Sequence, residues 1–480
     1  MDMNTQAVES PESAAFADMA RVFELQRAAH LAQPNPDAER RKSRLVRLEK
    51  MILDNRDAIE DAISSDFGNR SKMETLALEI LSSIEDIRHA KKRMPKWMKK
   101  ERRPGSLNTW PGRAEIVRQP LGVIGIVVPW NYPLFLAISP LVGALAAGNR
   151  VMLKMTEFTP LFSQLFADLI AKTFAEDEVH VITGSADVAR AFVAKPFDHI
   201  LFTGSTSVGR SVMQAAAANL TPVTLELGGK SPTIIADDMA LQRAASSILF
   251  GKLVNAGQTC IAPDYVLVHE DRVQAFVDIA KQTAMKLYPS LENNLDYTCV
   301  VNERQAQRLR RYVEDARQRG ATIIPLHDEM TAADSRKFTP LAITGVTDDM
   351  LVMQEEIFGP LLPIIAYRKI DDAIEYVNHH PRPLALYLFS DDSALVEKVL
   401  SNTTSGGVVV NDVMMHVIQN DLPFGGVGPS GMGHYHGKEG FDTFSKVKGV
   451  FRQARFNGGV FLRPPYGNGR LKKLTDFLLR

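Results

Sequence analysis

Only one of the two cysteines in this 480-residue chain stands where a thiol can do chemistry. Cys260 closes the segment Asn255-Ala-Gly-Gln-Thr-Cys260, a run of small and polar residues that follows a helical pattern. A glycine-containing loop after a helix leaves a thiol approachable, as a nucleophile must be. A lone cysteine is otherwise most often a small buried hydrophobe. Cys299, in Asp296-Tyr-Thr-Cys-Val300, lacks such a loop and is read that way. Two further segments raise the standing of Cys260. In Thr224-Leu-Glu-Leu-Gly-Gly-Lys230, Glu226 terminates a buried strand just before a double glycine. Carboxylates at the carboxyl ends of parallel strands face the crevice where α/β proteins bind ligands. In Pro129-Trp-Asn-Tyr-Pro133, Asn131 follows a buried strand, and its amide could donate to a developing oxyanion. Taken singly, Glu226 could be a surface turn carboxylate and Asn131 could merely bond its own turn.

A phosphate-bearing ligand is suggested by Phe202-Thr-Gly-Ser-Thr-Ser-Val-Gly-Arg210, a strand-turn-helix pattern with glycines at 204 and 209. It is not the dinucleotide G-x-G-x-x-G, because only two glycines occur. Lys154 and Glu157 follow another strand and could bond ribose hydroxyls; as an alternative they are an ordinary surface pair. His434 and His436 invite a metal reading, but no third ligand accompanies them, and no metal is expected.

These residues need elements to position them. Leu45, Leu48, Ile52, Ile59 and Ile63 recur near helical spacing among charged residues, so the first hundred residues read as amphipathic helix. A second helix is predicted over Ser71 to Arg93, ended by Pro95. The basic run Lys91 to Arg103 reads as a solvated helix end rather than a nucleic-acid patch. After Pro104 strands and helices alternate. Strands are predicted at Val123 to Val128, Val151 to Lys154, His180 to Thr183, His199 to Thr203 and Val223 to Leu227. Helices are predicted at Leu134 to Ala147 and Pro160 to Phe174. Such alternation implies a parallel sheet covered on both faces. A second alternating run spans Ser231 to Asp412, with a strand at Tyr265 to His269 and helices at Leu241 to Asn255, Val273 to Leu287 and Glu303 to Arg319. Glycines then crowd between 425 and 440, where backbone must approach something closely.

Composition narrows the classes. At ~150 residues per domain, the length implies about three domains. Basic and acidic residues both number 56, so there is no global field for nucleic acid. Two cysteines make no disulfide framework and fit a reducing cytoplasm. The opening MDMNTQAVESPESAAF has no apolar core and does not read as a signal peptide. The uncharged stretch Gln119 to Asn149 is interrupted by Pro129, Pro133 and Pro140, and reads as two buried elements rather than a membrane span. Leu471, Leu474, Phe477 and Leu478 form an amphipathic end too short to span.

Together, PWNYP, FTGSTSVGR, VTLELGGKSP, NAGQTC, QEEIFGP and PFGGVGPSGMG resemble the motifs of the NAD(P)-dependent aldehyde dehydrogenase superfamily, in the family's order. The chain is most similar to the class 3 branch, through NAGQTCIAPDYVLV and GMGHYHGKEGFDTFSK, and within it to a bacterial subgroup acting on coniferyl aldehyde. The resemblance implies an α/β fold with a Rossmann-type NAD(P)-binding domain (1–105 and 121–226), a catalytic domain (227–412) and bridging segments (106–120 and 445–480). It implies Cys260 as nucleophile, Glu226 as general base and Asn131 as oxyanion-binding amide. It further implies cofactor contacts from Trp130, Lys154, Glu157, Gly204, Ser205, Gly209, Glu356 and Phe358. Met155 and Thr156 stand where the family often has Pro and Ser. The expected reaction is NAD-dependent oxidation of an aldehyde to an acid through a thioester, with some use of NADP. An aryl substrate, a medium-chain aliphatic alternative and a homodimer are also implied by likeness. A coenzyme A-acylating dehydrogenase and a silent nucleotide-binding relative are the rival readings.

Overall fold

The apolar positions of the N-terminal region do lie on helices, but on two of them. Leu45, Leu48 and Ile52 belong to helix Ala38–Asp54, whereas Ile59 and Ile63 belong to helix Arg56–Phe67, with the break at Asn55. Asp37 caps the first of these, its carboxylate accepting the Arg40 N–H at 2.8 Å. All five apolar side chains are fully buried, a gain of about 1.5–3 kcal/mol each. In this computed structural model residues 11–105, 109–455, 457, 463–465 and 469–479 are described. Most of the MDMNTQAVESPESAAF segment lies outside the described residues.

The expected second helix starts after Ser71, passes through a π-helical stretch at Thr75–Leu81 and continues as Ser82–Trp97. Pro95 does not end it. The proline falls in the last turn, and the Met98 N–H still closes that turn on the Met94 carbonyl at 3.0 Å. Beyond it the basic run is not simply a solvated helix end: Glu101–Arg103 forms a short strand.

Three sheets organise the rest of the described residues. In the six-stranded sheet the spatial order is Gly431–Met432, Val223–Leu227, His199–Gly204, Val123–Val127, Arg150–Lys154 and Val179–Ile182. All neighbours are parallel except the first pair, in which Gly431 lies opposite Glu226. The chain winds outward from Val123–Val127 on one side, then returns to the other side. Such a reversal leaves a crevice at the carboxyl ends of the strands. Trp130, Asn131, Lys154, Ser205 and Glu226 all stand at those ends. Buried helix Phe135–Ala147 covers one face, and its Gly148 stop is left-handed, at φ 95°.

The seven-stranded sheet runs Thr322–Pro325, Leu341–Thr344, Leu361–Tyr367, Tyr265–His269, Pro232–Ile235, Ala385–Phe389 and Gly407–Val410. Only its first pair is antiparallel. The third sheet joins Glu101–Arg103, Arg113–Pro120 and Ser445–Arg452, all antiparallel. Helix Arg470–Leu478 closes the described chain. Among the described residues, no helix is long and apolar enough to cross a membrane.

Candidate active site

Asn131 is held by charge as well as by its two prolines. Arg70 and Glu79 form a fully buried ion pair at 2.6 Å. The same Arg70 guanidinium donates to the Asn131 carbonyl at 3.1 Å. The other Glu79 oxygen accepts the N–H groups of Leu134 and Phe135, where the buried helix begins. That carboxylate thus satisfies helix-start donors that would otherwise be orphaned.

From there the loop is knitted to the cysteine segment. The Asn131 side-chain amide donates to the Gln258 carbonyl at 3.1 Å, and the Asn255 amide donates to the Asn131 carbonyl at 3.0 Å. The Tyr132 and Thr259 hydroxyls meet at 2.8 Å. The predicted helix Leu241 to Asn255 stops early, at Leu253, and Asn255 and Ala256 take left-handed backbone at φ 52°. The turn they make presents Cys260 at the crevice. The loop around it is buried, yet Cys260 itself stays partly accessible. Cys299 is buried, and its carbonyl accepts from the Gln258 side chain at 3.1 Å.

Two carboxylates share the space beside Cys260. Glu226 sits one residue before the end of its strand, is buried, and neither of its oxygens has a hydrogen-bond partner among the described residues. Burial pushes it well above the usual carboxylate range. Glu356 is pushed up to about 8, by burial first and by Asp264 second, against a bond from the Gly229 N–H. Its carboxylate lies over the double glycine: a Cβ on Gly228 would sit 1.9 Å from Glu356 Oε2, so any side chain there would displace this carboxylate. Burial, then the nearby Glu356 and Glu226, push the Cys260 thiol up, while the N–H groups of Cys260 and Ile261 oppose them.

The remaining predicted residues line the other half of the crevice. Ser205 caps helix Thr206–Ala217 directly after strand His199–Gly204 and is exposed. Gly209 faces inward instead: a Cβ there would come within 2.5 Å of Leu227 Cδ2, so this glycine serves helix–strand packing. Lys154 and Glu157 are not a surface pair. Lys154 is buried and donates to the carbonyls of Met155 at 2.6 Å and Gly184 at 2.8 Å, while Glu157 is exposed. Burial lowers Lys154 to about 8, against the pull of Glu157. Trp130 and Phe358 meet edge to face at 5.3 Å.

Sequence reasoning missed what holds Glu356 and Phe358. Arg308, on helix Glu303–Gln318, donates to three consecutive carbonyls: Glu356 at 3.0 Å, Ile357 at 2.7 Å and Phe358 at 3.4 Å. From the other side Asp264 accepts the Ile357 N–H at 2.9 Å and pairs with Lys230. The clamp fixes Phe358 at φ 48°, which a bulky residue rarely adopts. No local pattern marks Arg308; its partners lie some fifty positions downstream. His436 is buried, and among the described residues no group of three or more His, Cys, Asp or Glu is placed to hold a metal ion.

A doubly wound sheet whose crevice joins a loop thiol, a buried carboxylate and a tethered amide defines a class. The aldehyde dehydrogenase family model matches residues 3–450, and the chain belongs to that family of oxidising enzymes. It is 55% identical over 459 residues to the probable coniferyl aldehyde dehydrogenase of Pseudomonas aeruginosa, covering 96% of each chain. Among solved structures, substrate-bound AldH of Staphylococcus aureus matches with a TM-score of 0.90 and 38% identity, over 96% of this chain and 99% of that one. A Mycobacterium tuberculosis aldehyde dehydrogenase complexed with NAD+ matches with a TM-score of 0.82 and 28% identity, over 91% and 90%.

Proposed function

We propose that this enzyme oxidises an aryl aldehyde of the coniferyl type to the carboxylic acid with NAD, through a thioester on Cys260. The carrying observation is the partly accessible thiol set beside a buried, unpartnered Glu226 and tied through its loop to the Asn131 amide. The substrate class rests on the Pseudomonas aeruginosa relative, whose name carries it.

The Cys260 thiol releases its proton to water at its accessible face, its sulfur adds to the aldehyde carbon, and the C=O electron pair moves onto oxygen. That oxyanion accepts from the Asn131 amide and the Cys260 N–H, donors placed before the charge develops. A nicotinamide held by Trp130, Glu356 and Phe358 would supply the hydride acceptor; as hydride leaves the carbon, the oxyanion re-forms its double bond. Cys260 is then a thioester. Glu226 takes a proton from water, the water oxygen adds, the C–S bond breaks and the acid leaves. A carboxylate raised by burial is a stronger base than one in water, which suits this step. Hydrolysis rather than transfer to coenzyme A follows from a carboxylate at that place.

The residues present fit the cofactor. Glu356 Oε1 is buried without a partner among the described residues and matches a ribose hydroxyl. Trp130 and Phe358 offer apolar ring faces, and Gly204, Ser205 and the following helix start offer N–H groups for a pyrophosphate. The exposed Glu157 repels a 2′-phosphate, favouring NAD, while Lys154 leaves some room for NADP. The six-stranded sheet with residues 1–105 and 121–226 is read as the cofactor domain, and 227–412 as the catalytic domain. The third sheet, with residues 106–120 and 445–480, is read as the bridge of a homodimer, its edge strand Ser445–Arg452 carrying exposed Val447 and Phe451. Two free thiols suit a reducing compartment such as the cytoplasm.

The test is turnover of coniferyl aldehyde without coenzyme A, following reduced nicotinamide with NAD and NADP in parallel. Ferulic acid should form, more efficiently with NAD, and Cys260→Ala should lower the rate by about 10³ or more. An unchanged rate in Cys260→Ala overturns the mechanism; equal or better efficiency with NADP overturns the cofactor reading.

A further inference from the structure

A buried ammonium lies next to the cofactor side of the crevice and has no part in the reaction described above. Lys252 stands in the last turn of helix Leu241–Leu253, at 1% exposure, and its Nζ has no hydrogen-bond partner among the described residues. Its neighbours along that helix, Ile248, Leu249 and Leu253, are buried apolar side chains. The turn that follows brings Lys252 against the loop that carries Glu356. Gly257, left-handed at φ 74°, is pinched between the two: a Cβ there would lie 2.8 Å from the Lys252 carbonyl oxygen and 2.5 Å from that of Gly359. Asp264 and Glu356 both lie close enough to Lys252 to favour its proton, and Lys230 close enough to oppose it. The other elements packed on this helix add no charge there. The turn Val254–Gly257 and strand Pro232–Ile235 carry none, and helix Val273–Leu287 turns Asp278 and Lys286 to solvent and pairs Lys281 with Asp328.

Of these charged groups two are satisfied and two are not. Lys230 pairs with Asp264 and donates to the Val352 carbonyl at 2.8 Å, while the second Asp264 oxygen accepts the Ile357 N–H. Lys252 Nζ and Glu356 Oε1 are left over, both buried and both unpartnered among the described residues. Arg308 also favours the Glu356 carboxylate, but its guanidinium is spent on backbone carbonyls. An isolated charge in such surroundings costs far more than a neutral group, so each of the two is driven toward its uncharged form. Burial lowers Lys252 to about 8 and raises Glu356 to about 8, so near that pH a single proton can rest on either. A position that served packing alone would be filled better by an apolar side chain of similar length, which carries no desolvation cost. Two complementary groups left unpaired beneath the cofactor cradle mark a proton exchange that ligand binding completes.

We propose that Lys252 is the internal proton partner of Glu356. As Glu356 accepts the hydroxyls of the nicotinamide ribose, its carboxyl proton passes to the Lys252 amine, directly or over one water. An O–H bond breaks, an N–H bond forms, and no proton is exchanged with solvent. Donors on a carboxylate favour its ionised form, and the new negative charge in turn favours the ammonium. The ion pair then keeps Glu356 on the ribose. Lys252 is thus a positioning residue, acting on the cofactor through Glu356 and touching no reacting atom. The inference rests on the reading of Glu356 as the ribose holder.

The experiment is calorimetric titration of the enzyme with NAD, without aldehyde, at pH 8 in two buffers of different ionisation heat. Transfer inside the pair leaves the wild type releasing less than about 0.3 proton per site. In Lys252→Met the Glu356 proton has only solvent to go to, so release should exceed about 0.6 per site. Affinity follows the same logic. Without a cation beside it Glu356 holds its proton more firmly, so the variant should bind NAD about tenfold more weakly than the wild type at pH 7 and within about threefold of it at pH 9.5. Glu356→Gln should weaken NAD as well, and adding Lys252→Met to it should cost about twofold at most, because the partner is already gone. A Lys252→Met loss that is the same at both pH values, a full further loss in the Gln background, or equal proton release by wild type and variant would overturn the proposal and leave Lys252 a packing residue hydrated by trapped water. Where Lys252→Met does not fold, Lys252→Gln removes the same charge and must show the same pH dependence; a flat profile there overturns the proposal too. Glu356→Gln at wild-type affinity removes the reading of Glu356 beneath the inference, whereas a weakened Glu356→Gln beside an unaffected Lys252→Met removes only the Lys252 assignment.

Discussion

The two halves of the crevice are built on opposite terms. Along the carboxyl ends of the six-stranded sheet, Glu157 and Ser205 are exposed, and buried Lys154 gives its ammonium to two backbone carbonyls. Toward the seven-stranded sheet, Cys260 is only partly accessible, and Glu226 is withdrawn from water, with no partner among the described residues for either oxygen. A surface that binds a charged, water-soluble cofactor loses little by staying solvated until it is filled. Groups that must pass protons gain reactivity by being deprived of solvent and of fixed partners, because a stranded carboxylate is a stronger base. The fold stabilises the first half by satisfying it, and equips the second by leaving it incomplete.

The strongest way to break this contrast is to fill the deprived half with a neutral isostere. Glu226→Gln should lower steady-state kcat by about 10² or more, the range for losing a general base. Rapid mixing with saturating NAD should still give one equivalent of reduced nicotinamide per site, since the acyl group forms and then waits. Absence of that burst would place Glu226 before hydride loss and undo its assignment to hydrolysis.

A smaller effect should come from loosening the clamp between the halves. Arg308→Met removes the donor to the carbonyls of Glu356, Ile357 and Phe358. Without it, Phe358 should relax from its strained backbone, raising KM for NAD about tenfold with a lesser change in kcat. Arg308→Lys should restore part of the loss. A change confined to the aldehyde KM would contradict a cofactor-positioning role.

The smallest effect tests whether the deprived region extends behind the site. Asp86, on helix Ser82–Trp97, is fully buried and pushed up to about 7 by that burial, with only the Ser139 hydroxyl working against it. The folded protein keeps this proton up to about pH 7, whereas the unfolded chain releases it near 3.8. Asp86 therefore favours folding fully at low pH, and that contribution is lost as pH rises from about 4 to 7. Asp86→Asn should flatten the fall in Tm between pH 5 and pH 8 by a few degrees. Glu74, raised to about 7, and Glu356, raised to about 8, will keep part of the slope. An Asn variant with the wild-type slope would show that Asp86 is solvated.

Cys260, Glu226 and Asn131 were legible because each stands in a local context that carries its meaning: a small loop after a helix, a strand before a double glycine, a strand before a proline-bracketed turn. Strands Val223–Leu227 and Tyr265–His269 and helix Val273–Leu287 were equally legible from apolar runs and period. Pro95 and Glu101–Arg103 were misread because a rule about local backbone was applied where tertiary pairing decides. Glu101–Arg103 is a strand only because Arg113–Pro120 lies beside it.

What the sequence alone determined was the inventory: which chemical groups the chain owns, on which kind of element, and in what order along a doubly wound fold. Those are properties of neighbours along the chain, and periodicity and turn chemistry report them. Only the tertiary structure decided which of those groups lose their water and their partners. The Arg308 clamp, the return of Gly431–Met432 to the Glu226 strand and the meeting of His416 with His436 around Phe424 all join distant segments. Desolvation depends on everything packed nearby in space, so no window of sequence can contain it.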